Sequence, residues 1–400
     1  MILNNGQQQA ISKACKWYKD RISQVFEITG PAGSGKTTII SEIVKQLGLE
    51  MGQEVIFIAF TGQASLVLRQ KGLPAFTIHS TIYDLVMKPL VDDNGIFQLD
   101  NVGKVIKVPR FELKQELENT NIKLMILDEA SMVSEEIKQD LLSFNIPIIA
   151  LGDLDQLPPV IGNPGFLINP DIRLTEIMRQ NEGNPIIYLS ELARNNENIP
   201  LGKYGPRCYV ISKEELTDKI ILLAEGVICG KNRTRNDLNR YVREELLQYN
   251  DITPQMNEKM ICRKNNWNLS IDDYFMVNGL QGIVKQPIDK SRMNSSSFQM
   301  DFKPYFIDKF FSDIKVDLKY LYDTYNGKAV NKNISSKFNN GNLMEYAYAI
   351  TCHLSQGSQY ESVLLLEEVL DSRTHKNWLY TGITRAQEFL ILVKYRNKYY

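Results

Sequence analysis

Residues 30–37, GPAGSGKT, match in full the phosphate-binding loop pattern G-x-x-x-x-G-K-[ST]. Residues 25–29 before the loop read as a short apolar strand, and residues 38–44 after it have the spacing of a helix with one buried face. Strand, loop and helix in this order are the context that the motif requires, whereas a glycine-rich turn that contains GKT by chance needs neither neighbour. The sequence therefore predicts a nucleoside triphosphate site.

The loop motif assigns roles to its residues. Glycines let the backbone wrap closely around a phosphate, so that several N–H groups and the start of a helix point at the negative charge. Lys36 is expected to reach the β and γ phosphates, and the Thr37 hydroxyl to bind Mg²⁺. The predicted nucleotide contacts in the loop are Gly33, Gly35, Lys36, Thr37 and Thr38.

Composition narrows the class of protein. The 400 residues include 46 Lys and Arg against 47 Asp and Glu, so a nucleic-acid partner must be held by a local groove and not by overall charge. The five cysteines contain no CxxC pair, which argues against a zinc site or a disulfide framework. The same cysteine usage suits a reducing cytoplasm, where we expect the protein to be. Because no run of about 18 apolar residues occurs, we expect no membrane contact. The length allows two or more domains.

A glutamine-rich helix start precedes the loop. Residues 3–11 contain three consecutive glutamines, the first of which is Gln7. A glutamine side chain donates and accepts together, as the N6 and N7 edge of adenine requires. We therefore predict that Gln7 contacts the adenine base. The alternative is a solvated helix start.

Two carboxylates follow a second predicted strand. Residues 124–127, LMIL, are continuously apolar, as in a buried strand of a parallel sheet, and Asp128 and Glu129 stand at its carboxyl end, where α/β folds bind ligands. We expect Asp128 to hold Mg²⁺ and Glu129 to polarise the water that attacks the γ phosphate. A buried strand ending in DE is common by chance, but much less so after a complete phosphate-binding loop.

Three further segments offer candidate DNA contacts. Thr61 follows an apolar strand at a turn that suits a backbone phosphate, although an ordinary strand–helix connection fits it equally well. His79 is also a candidate, but a lone histidine is most often structural. The turn signal DDNG at 92–95 predicts a β-hairpin over about 88–110 with Phe97 close to its tip, where an aromatic ring is incidental or stacks on a base.

The segment 152–159, GDLDQLPP, follows the apolar run 146–151. With the motifs above it resembles superfamily 1 helicases, especially the RecD-like and bacteriophage Dda-like enzymes of superfamily 1B. The resemblance implies that Gln156 senses the γ phosphate. Residues 174–180, LTEIMRQ, are similar to the family segment whose arginine, here Arg179, reaches the γ phosphate. Apart from the resemblance, such an arginine is most often a surface salt-bridge residue.

Two segments near the end of the sequence extend the resemblance. An apolar strand followed by HLSQG resembles the family's strand and H-x-S-Q-G loop, which implies that His353 and Ser355 contact single-stranded DNA. Leu354 stands where the family often has a basic residue, and without the family the segment is an apolar strand ending in a polar turn. Residues 380–386, YTGITRA, resemble the last helicase motif, with Arg385 as a second arginine on the γ phosphate.

The resemblance implies an α/β fold with two RecA-like parallel-sheet domains. We expect the first domain over 1–175, with the small β-hairpin insertion, and the second over 176–400. A small β-barrel insertion is expected at about 260–340, and only the position of this segment supports it. ATP would bind between the two domains.

The implied function is an ATP-dependent DNA helicase that uses Mg²⁺, moves 5′ to 3′ along single-stranded DNA and separates duplex DNA. One alternative is a DNA-stimulated ATPase that translocates and remodels nucleoprotein complexes without unwinding. Another is a nucleotide-dependent switch that binds no DNA. The expected partners are single-stranded and duplex DNA and a single-strand-binding or other replication protein, and the expected state is a monomer.

Overall fold

The computed structural model describes residues 3–91, 95–99, 103–159, 161–176, 183–271, 274–286, 288–305, 307–330, 341–368 and 370–394. Two mainly parallel sheets with their helices form the main body, and an antiparallel hairpin and an antiparallel sheet are inserted into it. Within the described ranges, no helix is both long and apolar enough to cross a lipid bilayer.

The first half of the chain forms a six-stranded sheet and a separate hairpin. Its strands are β1 (Val25–Thr29), β2 (Val55–Ala59), β3 (Ala75–Thr77), β4 (Tyr83–Pro89), β5 (Lys107–Leu113), β6 (Leu124–Asp128), β7 (Ile148–Gly152) and β8 (Ile172–Arg173). Its helices are α1 (Asn5–Asp20), α2 (Lys36–Leu47), α3 (Gly62–Gln70), α4 (Ile78–Ile82) and α5 (Glu135–Leu142), with a 3-10 turn at Ala130–Met132.

All neighbours in this first sheet are parallel, in the order β3-β2-β6-β7-β1-β8. The central strands β2 and β7 are buried at every residue, because continuous apolar runs suit strands that are covered on both faces. The carboxyl ends of β1 and β6 therefore meet at one edge of the sheet, which brings the phosphate-binding loop beside Asp128.

The second half contains a second six-stranded sheet. Its helices are α6 (Pro185–Arg194), α7 (Asp218–Leu223), α8 (Asn232–Tyr241), α9 (Leu318–Tyr325), α10 (Cys352–Ser355) and α11 (His375–Ile383), and α8 continues as a π-helical turn at Val242–Leu246. Its strands are β9 (Gly202–Gly205), β10 (Cys208–Ser212), β11 (Gly226–Cys229), β12 (Lys259–Cys262), β13 (Asn266–Ile271), β14 (Tyr274–Met276), β15 (Gln281–Val284), β16 (Ser297–Pro304), β17 (Phe311–Asp317), β18 (Met344–Tyr346), β19 (Ala349–Thr351), β20 (Tyr360–Leu366) and β21 (Ala386–Lys394).

The second sheet has the order β19-β11-β20-β21-β10-β9, and only the pair β9 and β10 in it is antiparallel among the described residues. The insertion between β11 and β19 is an antiparallel sheet in the order β17-β16-β15-β12-β18, accompanied by the ribbon β13-β14. The predicted fold class, α/β with two RecA-like parallel-sheet domains, is confirmed. The two expected insertions are a β-hairpin and this antiparallel sheet, and its closure into a β-barrel stays a prediction. The proposed domain boundary at 175/176 falls between β8 and α6.

The hairpin insertion is longer than the sequence suggested. Strands β4 and β5 pair from Tyr83 with Leu113 to Pro89 with Lys107, so the arms begin before and end after the expected 88–110. Beyond the arms, Phe97 forms an antiparallel bridge with Val91. The first three residues of the DDNG turn lie outside the described residues.

Candidate nucleotide-binding cleft

The phosphate-binding loop has the backbone conformation that its glycines permit. Gly33 has a φ of 84° and Gly35 a φ of 81°, in the left-handed region that strains residues with a side chain. A Cβ on Gly30 would lie 2.9 Å from the Leu174 Cβ, so the loop is also closely covered. Helix α2 begins at Lys36 directly after the loop, and the positive end of its dipole faces the loop. This geometry favours an anion.

A cavity of about 330 Å³ lies in front of this loop, between the two domains. The first domain contributes the loop, the start of α2, part of α3 and the end of β6, and the second contributes residues around 357–359 and 385. The cavity brings together the predicted nucleotide residues Gly33, Gly35, Lys36, Thr37, Thr38, Asp128, Glu129, Gln156 and Arg385. Segments that are far apart in sequence thus form one site.

The acidic pair enters the cavity through a sharp turn of the backbone. Asp128 ends β6, and its Oδ1 accepts a hydrogen bond of 3.0 Å from the Glu129 N–H. Glu129 has φ 52° and ψ 41°, a left-handed conformation that is costly for a residue with a Cβ. The turn lets two consecutive carboxylates line the same cavity.

Burial governs the ionisation of this pair. Loss of solvation raises the pKa of both carboxyls. The charge of Asp128 raises the pKa of Glu129 further, whereas Arg385 and Lys36 act to lower it. For both carboxyls the net direction is upward, which makes Glu129 a stronger base, once ionised, than an exposed glutamate.

The donor atoms in the cavity fit Mg²⁺. The Thr37 hydroxyl and the Asp128 carboxylate are hard oxygen ligands in one cavity with Lys36. Mg²⁺ typically binds to one or two carboxylates together with substrate phosphates and waters. In the described part of the chain, no group of three or more His, Cys, Asp or Glu side chains could hold a metal ion. The two protein oxygens leave the other positions around Mg²⁺ to phosphates and waters, so the site suits a metal that arrives with a nucleotide.

Gln156 and Arg385 approach the acidic pair from different domains. Gln156 is 5% exposed, and its side-chain Oε1 is buried without a hydrogen-bond partner among the described residues. Arg385 is 3% exposed and donates from Nε to Thr381 O and from Nη1 to Ser358 O, both at 3.1 Å. The unpaired Gln156 Oε1 can accept a hydrogen bond from a water molecule, and the fixed Arg385 guanidinium can donate to phosphate oxygens in the same cavity. The two side chains therefore suit the γ-phosphate end of a nucleotide, where water attacks. Arg179 lies outside the described residues.

Gln7 contacts the loop itself. Its Nε2 donates to Ser34 O at 3.1 Å, and its Oε1 accepts from Asn4 N at 3.2 Å. The Asn4 Oδ1 in turn accepts from Gln7 N at 2.7 Å, which completes a capping box at the start of α1. Gln7 thus ties the first helix to the phosphate-binding loop, and its contact with adenine stays a prediction.

Two candidate DNA residues lie where the domains meet. The Thr61 Oγ1 accepts from Ala64 N at 3.1 Å and caps α3. A Cβ on Gly357 would lie 3.0 Å from this Oγ1, so the turn at Thr61 and the HLSQG loop are in close contact. Ser355 is fully buried, and its Oγ donates to Cys352 O at 2.7 Å. Contact between this hydroxyl and DNA would require its neighbours to move.

The remaining candidates lie elsewhere. The His79 ring lies in an aromatic cluster with Tyr83 and Phe111, with centroid distances of 5.4 Å and 5.1 Å, beside a second cavity of about 620 Å³. Burial lowers the pKa of His79 and of His353, so both are neutral at pH 7. The Phe97 side chain is 56% exposed. The DNA-binding roles of these residues stay predictions.

The sequence analysis missed a polar face of α11 that joins the domains. Tyr380 Oη donates to Asp153 Oδ2 at 2.6 Å, and Leu157 N donates to Thr381 Oγ1 at 3.0 Å. Asn377 Nδ2 donates to two carbonyl oxygens of the same loop after β7. Asn377, Tyr380 and Thr381 stand at positions i, i+3 and i+4 and therefore share a helix face. This spacing can be read from the sequence, but it does not indicate that the face contacts the other domain.

The fold and the cleft define a two-lobed P-loop NTPase. A family model described as an AAA domain matches residues 2–211, and one described as a UvrD-like helicase C-terminal domain matches residues 346–393. The chain is 31% identical over 194 residues to the ATP-dependent DNA helicase Dda of Enterobacteria phage T4, which is 45% of this chain and 40% of Dda. It is 24% identical to the RecBCD enzyme subunit RecD of Buchnera aphidicola, over 92% of this chain and 70% of RecD.

Among solved structures, Pif1 helicase from Bacteroides in complex with ADP-AlF3 and ssDNA matches with a TM-score of 0.54 at 17% identity, over 98% of this chain and 92% of that chain. This likeness shows the fold. For three curated relatives, Dda among them, the matched part is only 36 to 40% of the relative's own length. The chain belongs to the AAA domain family. The helicase C-terminal match and the similarity to RecD and Dda support the predicted resemblance to superfamily 1B helicases.

Proposed function

We propose that the protein is an ATP-dependent DNA helicase that moves 5′ to 3′ on single-stranded DNA and separates duplex DNA. The observation that carries the proposal is the cavity in which Lys36 and Glu129 of one domain lie together with Arg385 of the other. A nucleotide held there contacts both domains, so that binding and hydrolysis close and open the cleft. The direction of movement rests on the resemblance to RecD and Dda.

Each side chain in the cavity has a separate role in the proposed hydrolysis of ATP. Lys36, which donates to Gly30 O and Pro31 O, turns to the β and γ phosphates when ATP binds. Glu129 accepts the proton of the attacking water, and Arg385 stabilises the charge that develops on the γ phosphate. Thr37 and Asp128 would hold Mg²⁺, which would supply positive charge to offset the charge of the phosphates.

The proposed DNA path runs beside the nucleotide cleft. The turn at Thr61 in the first domain and the loop with His353 and Ser355 in the second are in close contact at Gly357. A single strand bound along this junction touches a phosphate-binding helix start and a loop that leads to the γ-phosphate side. Opening and closing of the cleft then makes the two domains alternate their grip on the strand.

Phe97 is our candidate for strand separation. Its ring is 56% exposed on the hairpin insertion, where it can stack on a base at the fork. We expect Phe97→Ala to lower unwinding while ATP hydrolysis stays at the wild-type rate. Phe310→Ala, which removes a 38% exposed ring from the other insertion, is the matched control. Wild-type unwinding by Phe97→Ala would exclude this role.

The test of the proposed function is strand separation on two duplexes, one with a 5′ single-stranded tail and one with a 3′ tail, in the presence of ATP and Mg²⁺. We expect separation of the 5′-tailed duplex alone, and none by Lys36→Ala. DNA-stimulated hydrolysis without separation would favour the translocase that remodels nucleoprotein complexes. Hydrolysis that DNA does not change would favour the nucleotide-dependent switch.

A further inference from the structure

Tyr380 connects three parts of the nucleotide cleft. Its side chain is 1% exposed, and its hydroxyl donates to Asp153 Oδ2 at 2.6 Å. The same oxygen accepts a hydrogen bond of 3.4 Å from the N–H of Ala32, which lies inside the phosphate-binding loop. A phenol can donate once and accept at the same time, so one hydroxyl joins helix α11 to both the loop and Asp153.

Asp153 holds the segment that presents Gln156. Its Oδ1 accepts from Asp155 N at 3.1 Å, and its backbone oxygen accepts from Gln156 N at 3.2 Å. Asp153 is 1% exposed, so its carboxylate depends on protein donors and not on water. The Tyr380 hydroxyl is the donor on Oδ2. Asp153 is therefore the only residue between this hydroxyl and Gln156 along this path, so a displacement of the hydroxyl changes the position of Gln156.

The same helix also carries Arg385 to the cleft. Asn377 Nδ2 donates to Asp155 O at 3.0 Å and to Gln156 O at 3.3 Å. Arg385 stands two residues after the end of α11, and its Nε donates to Thr381 O. The helix thus fixes Gln156 on one side and Arg385 on the other, and both line the cavity.

We propose that Tyr380 is a positioning residue, whose hydroxyl aligns the Gln156 segment and Arg385 with the phosphate-binding loop. This inference rests on the proposed ATP hydrolysis. In Tyr380→Phe the buried Asp153 carboxylate loses a donor, and the domain-spanning link to Ala32 N is broken. Because the loop and Lys36 supply most of the nucleotide affinity, we expect Tyr380→Phe to lower the rate of hydrolysis and to leave nucleotide binding nearly unchanged.

The first arm of the test is steady-state ATP hydrolysis with a saturating single-stranded oligonucleotide. For Tyr380→Phe we expect kcat to fall by about tenfold, with KM changed by less than about twofold. Asp153→Ala should cause a similar loss, and the double variant little more, because both substitutions remove the same hydrogen bond between Tyr380 and Asp153. Asp153→Asn keeps an acceptor oxygen and should retain more activity than Asp153→Ala.

Tyr204→Phe is the matched control, because its hydroxyl donates to Pro200 O at 2.8 Å within the second domain. It should leave kcat and KM unchanged. Wild-type kcat in Tyr380→Phe would overturn the inference, as would additive losses in the double variant. A wild type that binds ATP without hydrolysing it would contradict the proposed function, and the second arm would then decide the inference.

The second arm is hydrogen exchange of the α11 amides with and without ATPγS and Mg²⁺. In the wild type we expect ATPγS to protect α11, since the phosphate-binding loop and the helix are linked through Tyr380. In Tyr380→Phe the protection should be lost while ATPγS still binds. Equal protection in both proteins would overturn the inference. A wild type that binds no nucleotide would overturn it together with the proposed function.

Discussion

Gln7 donates a hydrogen bond of 3.1 Å from its side-chain Nε2 to the backbone oxygen of Ser34, inside the phosphate-binding loop. Gln7 is 3% exposed, although it belongs to the polar start of a helix. Its side chain is therefore part of the support behind the loop, and this support does not depend on any contact with a base.

The first prediction concerns this support. Gln7→Ala should raise the KM for ATP by about tenfold, because the loop loses a buried donor that holds its shape. Gln8→Ala is the control, since its amide donates to Leu3 O at an exposed position. Steady-state hydrolysis of ATP and GTP separates the two roles of Gln7. An equal rise for both nucleotides indicates loop support alone, and a larger rise for ATP indicates the adenine contact. An unchanged KM would contradict both.

The second prediction separates nucleotide binding from hydrolysis. Glu129→Gln should lower kcat by about 10²- to 10⁴-fold, because the amide cannot accept the proton of the attacking water. Binding of a fluorescent ATP analogue should persist, since Lys36 and the loop are intact. Glu135→Gln, at the start of α5 outside the cavity, is the control. Hydrolysis at the wild-type rate by Glu129→Gln would exclude Glu129 as the base.

The third prediction is a pH dependence of stability. Because the folded chain raises the pKa of Asp128, the ionised carboxylate destabilises the folded state at pH 7. Asp128→Asn should therefore increase the free energy of unfolding at pH 7. The gain should fade as pH drops through the raised pKa and vanish below about pH 4, where the carboxyl is protonated in both states.

Urea unfolding from about pH 3 to pH 7 measures this difference. Asp289→Asn is the control of opposite sign, because two hydrogen bonds from Ser291 lower the pKa of that carboxyl. That substitution should give no gain at pH 7. An Asp128→Asn chain that is no more stable than the wild type at pH 7 would contradict the account of the acidic pair.

The fourth prediction concerns a buried ion pair whose arginine belongs to the π-helical turn. Arg243 donates from Nε and Nη2 to the two carboxylate oxygens of Glu258 at 2.7 Å and 3.1 Å, and both side chains are 1% exposed. The guanidinium also lies 4.0 Å from the centroid of the Tyr346 ring. Removal of one charge leaves the other buried without its counter-ion.

Glu258→Gln should therefore lower the free energy of unfolding by about 3–5 kcal/mol. Urea unfolding at pH 7 measures the change. Arg233→Gln, which removes a 92% exposed guanidinium from a surface pair, should have no measurable effect. Equal midpoints for the wild type and Glu258→Gln would show that the pair does not stabilise the fold.

Local motifs carried most of what the sequence could predict. Strand β1 was expected at its observed bounds, and the positive φ angles of Gly33 and Gly35 follow from the loop pattern. Asp128 and Glu129 meet the loop because the carboxyl ends of parallel strands share one edge. A short stretch of sequence thus sets the strand and the loop, and the parallel arrangement of strands brings the acidic pair to the loop.

Contacts between distant segments could not be predicted in this way. Tyr380 and Asp153 are 227 residues apart in the sequence, and no pattern in either segment predicts that the two side chains are in contact. A Cβ on Gly62 would lie 2.0 Å from Val277 Cγ2, so the insertion lies directly on α3, which no local pattern indicates. Such contacts follow from the packing of whole domains.

The insertion at 260–340 was placed by position alone, although part of its sequence carried a signal. Phe298, Met300 and Phe302 alternate along β16 and are all buried in the core of the insertion. This period of two predicts a half-buried strand. In the rest of the segment most strands are short and polar residues separate them, so the alternation of apolar and polar residues is harder to recognise.

The central claim is that the cleft between the two domains hydrolyses ATP in response to DNA. Its most direct test is the rate of ATP hydrolysis with and without a single-stranded oligonucleotide, for the wild type, Lys36→Ala and Arg385→Lys. We predict stimulation by DNA in the wild type, no hydrolysis by Lys36→Ala, and a kcat at least about tenfold lower for Arg385→Lys, whose ammonium cannot replace the guanidinium fork. A wild-type rate in Arg385→Lys, or hydrolysis that DNA leaves unchanged, would contradict the claim.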